Sequence, residues 1–138
     1  MDLPPQVSCR QLVFQTPYQS VYNIKTDFGV FQKEYFVNDF GGRVGVVLGR
    51  NDEVLLVQQY RLLVNGLAWE IPGGGIEEGE EPEQAAKREC WEEAGFRCTR
   101  LEPLISYNLT LDSVENPTFI FFSDDFTVHE KKEDGEQQ

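Results

Sequence analysis

The stretch GGIEEGEEPEQAAKRECWEEAGF, residues 74–96, decides how the rest of the chain is read. Its fixed points are Gly74, Glu80 and then Arg88-Glu89-Cys90-Trp91-Glu92-Glu93-Ala94-Gly95-Phe96. A glycine turn feeds a helix expected over residues 82–94. Pro82 suits its first turn, acidic residues gather near its N-terminal end, and Gly95 suits its stop. Glu89, Glu92 and Glu93 stand at i, i+3 and i+4, which puts them on one helical face. Three like charges so close repel one another and cost stability if left bare. A divalent hard cation reverses that sign, because carboxylate oxygens are what Mg²⁺ prefers. Arg88 adds a compensating positive charge beside them. A solvated acidic helix is the plain alternative, but it does not call for the glycines, the Arg and the gaps between them.

Outward from this stretch, strands dominate. Residues 11–15, 20–27 and 30–38 read as short strands before it. Residues 42–48 and 54–60 are apolar runs separated by Gly49-Arg50-Asn51-Asp52, a hairpin signal. Residues 67–71 read as a strand stopped by Pro72-Gly73-Gly74-Gly75, whose glycines let other atoms come close. Strands near 99–109 and 117–123 follow the helix, in which Ala86 and Cys90 lie one turn apart and are expected to face a sheet. One helix in mid-chain among many strands is an α+β pattern with a mixed sheet.

At 138 residues the chain is expected to be one domain with a real core. The expected divisions are an N-terminal strand extension over 1–40, a catalytic core over 41–126 and a charged tail over 127–138. Nothing resembles a secretory signal or a membrane span. Cys9, Cys90 and Cys98 are odd in number and form no CxxC pair, which fits a reducing cytoplasm rather than a disulfide scaffold or a zinc site. The net charge of −12 argues against a nucleic-acid partner, which needs a basic face. The acid is concentrated: eight of the seventeen residues from Glu77 to Glu93 are glutamate. Carboxylates that bind metal can still receive a diphosphate, because the ions set the local sign. A second acidic group at Glu130, Glu133, Asp134 and Glu136 reads as a solvated tail.

The spacing of Gly74, Glu80, Arg88, Glu89, Glu92, Glu93 and Gly95 resembles the Nudix box, the signature of hydrolases that cleave a nucleoside diphosphate linked to another group. The box fills residues 74–96. Cys90 stands where that family has Leu, Ile or Val, and a buried Cys serves as a small hydrophobe. The resemblance implies an α/β/α sandwich around a mixed sheet, with antiparallel strands at the N-terminus. The family usually ends with another strand and a helix on the opposite face. Here only a charged tail follows Phe126, so the expectation is either that this C-terminal helix is missing or that the sequence is a shortened form.

The flanks Val57-Gln58-Gln59-Tyr60-Arg61 and Trp69-Glu70-Ile71-Pro72-Gly73-Gly74 resemble the ADP-ribose and nucleotide-sugar pyrophosphatase branch. Members of that branch are commonly homodimers built through N-terminal strands. Leu111 stands where ADP-ribose hydrolases often carry a proline, which widens the expected substrate to sugars such as ADP-glucose or GDP-mannose.

By resemblance, Glu89, Glu92, Glu93 and the backbone carbonyl of Gly73 ligate Mg²⁺, with Mn²⁺ as a substitute. Glu80 either joins the metal or pairs with Arg88 to hold the loop, and the second role is favoured. The general base is left among Glu92, Glu115 and Glu136. Arg61 is either a bidentate diphosphate contact or half of a surface ion pair. Trp69 either packs in the core or stacks a base, core being commoner for a Trp in a strand. Glu70 can accept from an amino group or a ribose hydroxyl. Tyr107 and Phe119 are expected in the core, and His129 receives no role. The same box also serves dinucleoside polyphosphates, oxidised nucleotides or capped RNA. A non-catalytic nucleotide sensor is the rival outside enzymes, and such proteins usually lose a box glutamate.

Overall fold

Residues 5–128 are described in the computed structural model. In chain order they form β1 (Gln6–Gln15), β2 (Ser20–Asp27), β3 (Gln32–Asp39), β4 (Arg43–Arg50), β5 (Glu53–Val54), β6 (Val57–Arg61), β7 (Gly66–Glu70) and β8 (Gly73–Gly75). Helix α1 (Pro82–Glu89), β9 (Phe96–Tyr107), β10 (Val114–Glu115) and β11 (Thr118–Val128) follow. These elements fall into two compact units, one of residues 5–42 and 107–117, the other of residues 43–106 and 118–128.

In the first unit β1, β2 and β3 make an antiparallel meander. Thr16 closes the first turn, its Oγ1 accepting from the backbone N–H of Tyr18 at 3.2 Å and of Gln19 at 3.1 Å. Asp27 closes the second, accepting from the Gly29 N–H at 2.7 Å. Strand β1 begins at Gln6, earlier than the expected residue 11. Register shifts between Val7 and Cys9 and between Leu12 and Phe14 break the alternation that would have marked it. Strand β10, which no local pattern announces, pairs parallel to β3, Val114 beside Asn38.

The second unit is built on β4. Strand β11 runs parallel to it, Val46 beside Phe121, with β9 beyond. The other edge of β4 takes β8 at one end and β5 at the other, both antiparallel. Val44, Val46 and Leu48 of β4 pack with Phe121, Leu101 and Cys98 of the sheet and with Ala85, Ala86 and Cys90. Small residues on that helical face let the helix lie close to the strands. Each buried Leu- or Phe-sized side chain here is worth about 1.5–3 kcal/mol. Phe119 packs against this core, as expected.

The expected hairpin across Gly49–Asp52 is half right. Asn51 and Asp52 take positive φ of 53° and 61°, and β4 turns back into β5. The chain then leaves: β6 pairs with β7 instead of β4, because the rest of that edge is taken by Pro72 and β8. Two further expectations are corrected, and for Trp69 the core alternative falls away. Trp69 is 66% exposed and Tyr107 43% exposed, so neither is core. Strand β11 runs on to Val128, into the residues assigned to the tail, because Phe126 is anchored in the core and its carbonyl accepts from Arg50 Nη2 at 2.6 Å. The expectations for Glu136, His129 and the C-terminal helix lie outside the described residues.

Candidate active site

The box begins at a capped helix. The Glu81 N–H donates to Gln84 Oε1 at 3.1 Å, the Glu81 side chain accepts from the N3 backbone, and Pro82 opens the first turn. The helix reaches residue 94 as expected, but its last turn, Cys90–Ala94, is π-helical. Gly95, at φ 72°, ends it, donating its N–H to the Trp91 carbonyl at 3.0 Å. A π-turn widens the helix locally and is often found at functional sites.

Arg88 organises the cluster. Its Nε and Nη2 donate to the two oxygens of Glu80 at 2.9 Å each, and Nη2 also reaches the Gly75 carbonyl at 2.8 Å. Its Nη1 donates to Glu89 Oε1 at 2.7 Å and to Glu92 Oε2 at 3.2 Å. One guanidinium therefore joins the loop, strand β8 and two box glutamates. The Arg88 hydrogen bond holds the Glu80 carboxyl below its usual range, helped by the Glu77 N–H, and the Arg88 pKa is raised chiefly by Glu80. Glu80 is thus paired with Arg88, one of the two roles open to it.

The carboxylate of Glu89 lies against Gly74, where an added Cβ would come within 2.5 Å of its Cδ and Oε1. Gly73 is closed in from the other direction, a Cβ there meeting the Val44 carbonyl. Glu93 approaches the same strand. Its Oε2 accepts from the Gly73 N–H at 2.9 Å, and its Oε1 accepts from Gln59 Nε2 at 2.9 Å. Glu92 is exposed, its side chain 54% open, and Glu93 beside it is exposed as well. Across the β6–β7 hairpin Arg61 holds Glu70 with two bonds, Nε to Oε1 at 2.7 Å and Nη2 to Oε2 at 2.5 Å. This pairing lowers the Glu70 pKa and raises that of Arg61.

Gly73, Glu80, Arg88, Glu89, Glu92, Glu93, Arg61, Glu70 and Trp69 thus all belong to the second unit. Glu115 belongs to the first, on β10, its carbonyl accepting from the Phe40 N–H at 3.0 Å. Gln59 received no role from the sequence. The available signal was alternation, which puts it on the same face of β6 as Arg61.

The donor set is oxygen-rich and negatively charged, which suits a hard divalent cation. Among the described residues no three His, Cys, Asp or Glu side chains stand as a ready-made cage. Mg²⁺ keeps several waters and needs few protein ligands, so the set fits that ion.

The NUDIX domain family matches residues 39–138 of this chain. The chain belongs to that family. Among similar proteins, a Streptomyces rubellomurinus relative described as CMP-5'-(N-acetyl-N-hydroxy-3-aminopropyl)phosphonate hydrolase is 29% identical over 76% of this Nudix chain and 51% of its own. An ADP-ribose pyrophosphatase of Bacillus subtilis is 26% identical over 81% of this chain and 60% of its own. An RNA pyrophosphohydrolase of Cereibacter sphaeroides is 48% identical, but over 43% of this chain and 36% of its own. The chain therefore spans about half the length, or less, of several curated relatives it matches. A solved structure, an ADP compounds hydrolase, matches 99% of this chain and 75% of its own with a TM-score of 0.80 at 20% identity. That likeness establishes the Nudix fold, an α+β arrangement with mixed sheets.

Proposed function

We propose that this Nudix chain is a Mg²⁺-dependent pyrophosphatase. Its substrate is a nucleoside diphosphate joined to another group, ADP-ribose or another nucleotide sugar, and its products are a nucleoside monophosphate and a sugar phosphate. The observation that carries this reading is the gathering of Glu89 and Glu93 along the glycine strand β8, with Glu92 tied in through Arg88. Glu89, Glu92, Glu93 and the Gly73 carbonyl would hold the ions. When bound, Mg²⁺, or Mn²⁺ in its place, would supply the positive charge that offsets the phosphates and makes water a better nucleophile.

The chain's own residues do the rest. Water attacks one phosphorus in line, its proton passes to a carboxylate, and the bond from that phosphorus to the bridging oxygen breaks. Glu92, Glu115 and Glu136 are the candidate bases, to be separated by single Gln substitutions. Arg61 uses two N–H groups on Glu70, which leaves three of its five for a phosphate. Glu70 orients that guanidinium and can accept from a sugar hydroxyl. Exposed Trp69 offers a ring face for a base.

The relative described as an ADP-ribose pyrophosphatase supports the substrate class. The net charge of −12 disfavours capped RNA, and a full set of box glutamates disfavours a non-catalytic sensor. We place the reaction in a reducing cytoplasm, consistent with three free thiols. Among the described residues no helix is long and apolar enough to cross a membrane. A homodimer through the N-terminal strands fits β1, which exposes Val7, Leu12, Val13 and Phe14.

The test is phosphomonoester release from ADP-ribose, ADP-glucose, GDP-mannose, diadenosine polyphosphates, dNTPs and 5'-capped RNA, each with Mg²⁺ and with EDTA. Mg²⁺-dependent cleavage of one nucleotide sugar is expected. A folded sample that turns over none of the panel would overturn the reading.

A further inference from the structure

Glu93 is held differently from its neighbours. Glu89 and Glu92 both accept from the Arg88 guanidinium, so their charge is partly compensated already. Glu93 accepts from two neutral donors, the Gly73 N–H on one oxygen and the Gln59 amide on the other. Two uncharged donors on two oxygens fix both the position and the plane of the carboxylate without cancelling its charge, which the Arg61 guanidinium feels through space. Each oxygen also keeps an unused lone pair. The orientation of the Gln59 amide follows from its partner, because an ionised carboxylate can only accept.

The two donors come from different parts of the unit. Gly73 sits in β8, while Gln59 sits in mid-strand on β6, opposite Ala68 of β7. Gln59 therefore ties the β6–β7 hairpin, which also carries Arg61 and Glu70, to the π-turn of the box.

We propose that Gln59 is a positioning residue that holds the Glu93 carboxylate aimed at a divalent cation. It acts through Glu93 and touches neither substrate nor ion. This rests on the metal-binding reading of the box given above.

The experiment measures Mn²⁺ binding to the free protein, without substrate, from the loss of the aqueous Mn²⁺ EPR signal. Gln59→Met keeps length and bulk but removes the donor, and Gln59→Ser removes the reach, so two independent changes delete one bond. Both variants are expected to bind Mn²⁺ about tenfold more weakly, the lower end of what loss of an outer hydrogen bond to a metal ligand costs. Circular dichroism and melting should stay as in the wild type. Glu93→Gln should weaken binding at least as much, and adding Gln59→Met to it should cost nothing further. Turnover of the Gln59 variants should recover at high Mg²⁺, a rescue that damage to the hairpin would not give. Wild-type Mn²⁺ affinity in the Gln59 variants, with Glu93→Gln weakened, overturns this proposal and spares the metal reading. Additive losses also overturn it, because Gln59 would then act independently of Glu93. Unchanged affinity in Glu93→Gln overturns the metal assignment itself.

Discussion

Gly74→Ala gives the sharpest test of how the box glutamates meet the glycine strand. The new Cβ would lie 2.5 Å from Cδ and Oε1 of Glu89 and 2.6 Å from Oε2. Ordinary contact starts at 3.4 Å, so the carboxylate must retreat by the difference, 3.4 − 2.5 = 0.9 Å. The backbone is no obstacle. Gly74 is not among the glycines with positive φ and pairs with Val44 in a regular ladder. At such a position Gly→Ala tends to stabilise by about 0.4–1 kcal/mol through the unfolded chain. The obstructing atoms are the far end of a flexible side chain, so the fold should survive with little change in melting temperature. The site should not. A shift of about 1 Å in a positioned group costs about a hundredfold in rate, equivalent to about 2.7 kcal/mol of barrier, and it pulls Glu89 off Arg88 Nη1. The assay is kcat/KM on the preferred nucleotide sugar at saturating Mg²⁺, beside a thermal melt. Gly75→Ala is the control: its Cβ would meet nothing within 4 Å, and its carbonyl stays available to Arg88, so it should remain close to wild type. Full activity in Gly74→Ala with an intact fold would show that Glu89 is not needed where it lies, and would refute the reasoning.

Two further outcomes follow from the same contacts. The Glu80 pKa is lowered by Arg88, so Glu80 contributes stability that is fully present above the ordinary carboxylate pKa and is lost as pH falls through its depressed folded value. Glu80→Gln should therefore melt below the wild type at neutral pH, and the gap should close in acid; a gap constant from neutral pH down to pH 3 would contradict the pairing. Cys9 is exposed while Cys90 and Cys98 are buried with their sulfurs 3.2 Å apart. A thiol reagent should accordingly label one cysteine in the native protein and three in denaturant, counted by intact mass, and labelling of Cys90 or Cys98 before unfolding would contradict the packing.

What was legible in the sequence was what is local. The helix could be read because Pro82 and Gly95 act within a turn of where they stand, and the three glutamates share a face through helical spacing alone. The turn at Asn51 and Asp52 could be read for the same reason. The partner of Val57–Arg61 could not, since it depends on which segments reach β4 first. Pro72 and β8 come back from later in the chain to occupy that edge. Strand β8 itself runs against local preference, because three glycines make a poor strand. Glycine is required at Gly73, where a Cβ would strike the Val44 carbonyl, and at Gly74 it leaves room for the Glu89 carboxylate to lie against the strand. The choice between the two readings of Trp69 was not legible for a related reason. Alternation says that Leu67 and Trp69 share a face but not which face is inside, and here Gly66 and Ala68 are turned inward and the large residues outward. In a hairpin that pairs only with itself, that choice is not made by the hairpin. Gln59 and Glu70 are half-buried on the inward side, where Gln59 meets Glu93. The polar contacts to the box thus take the place that a hydrophobic core would otherwise claim.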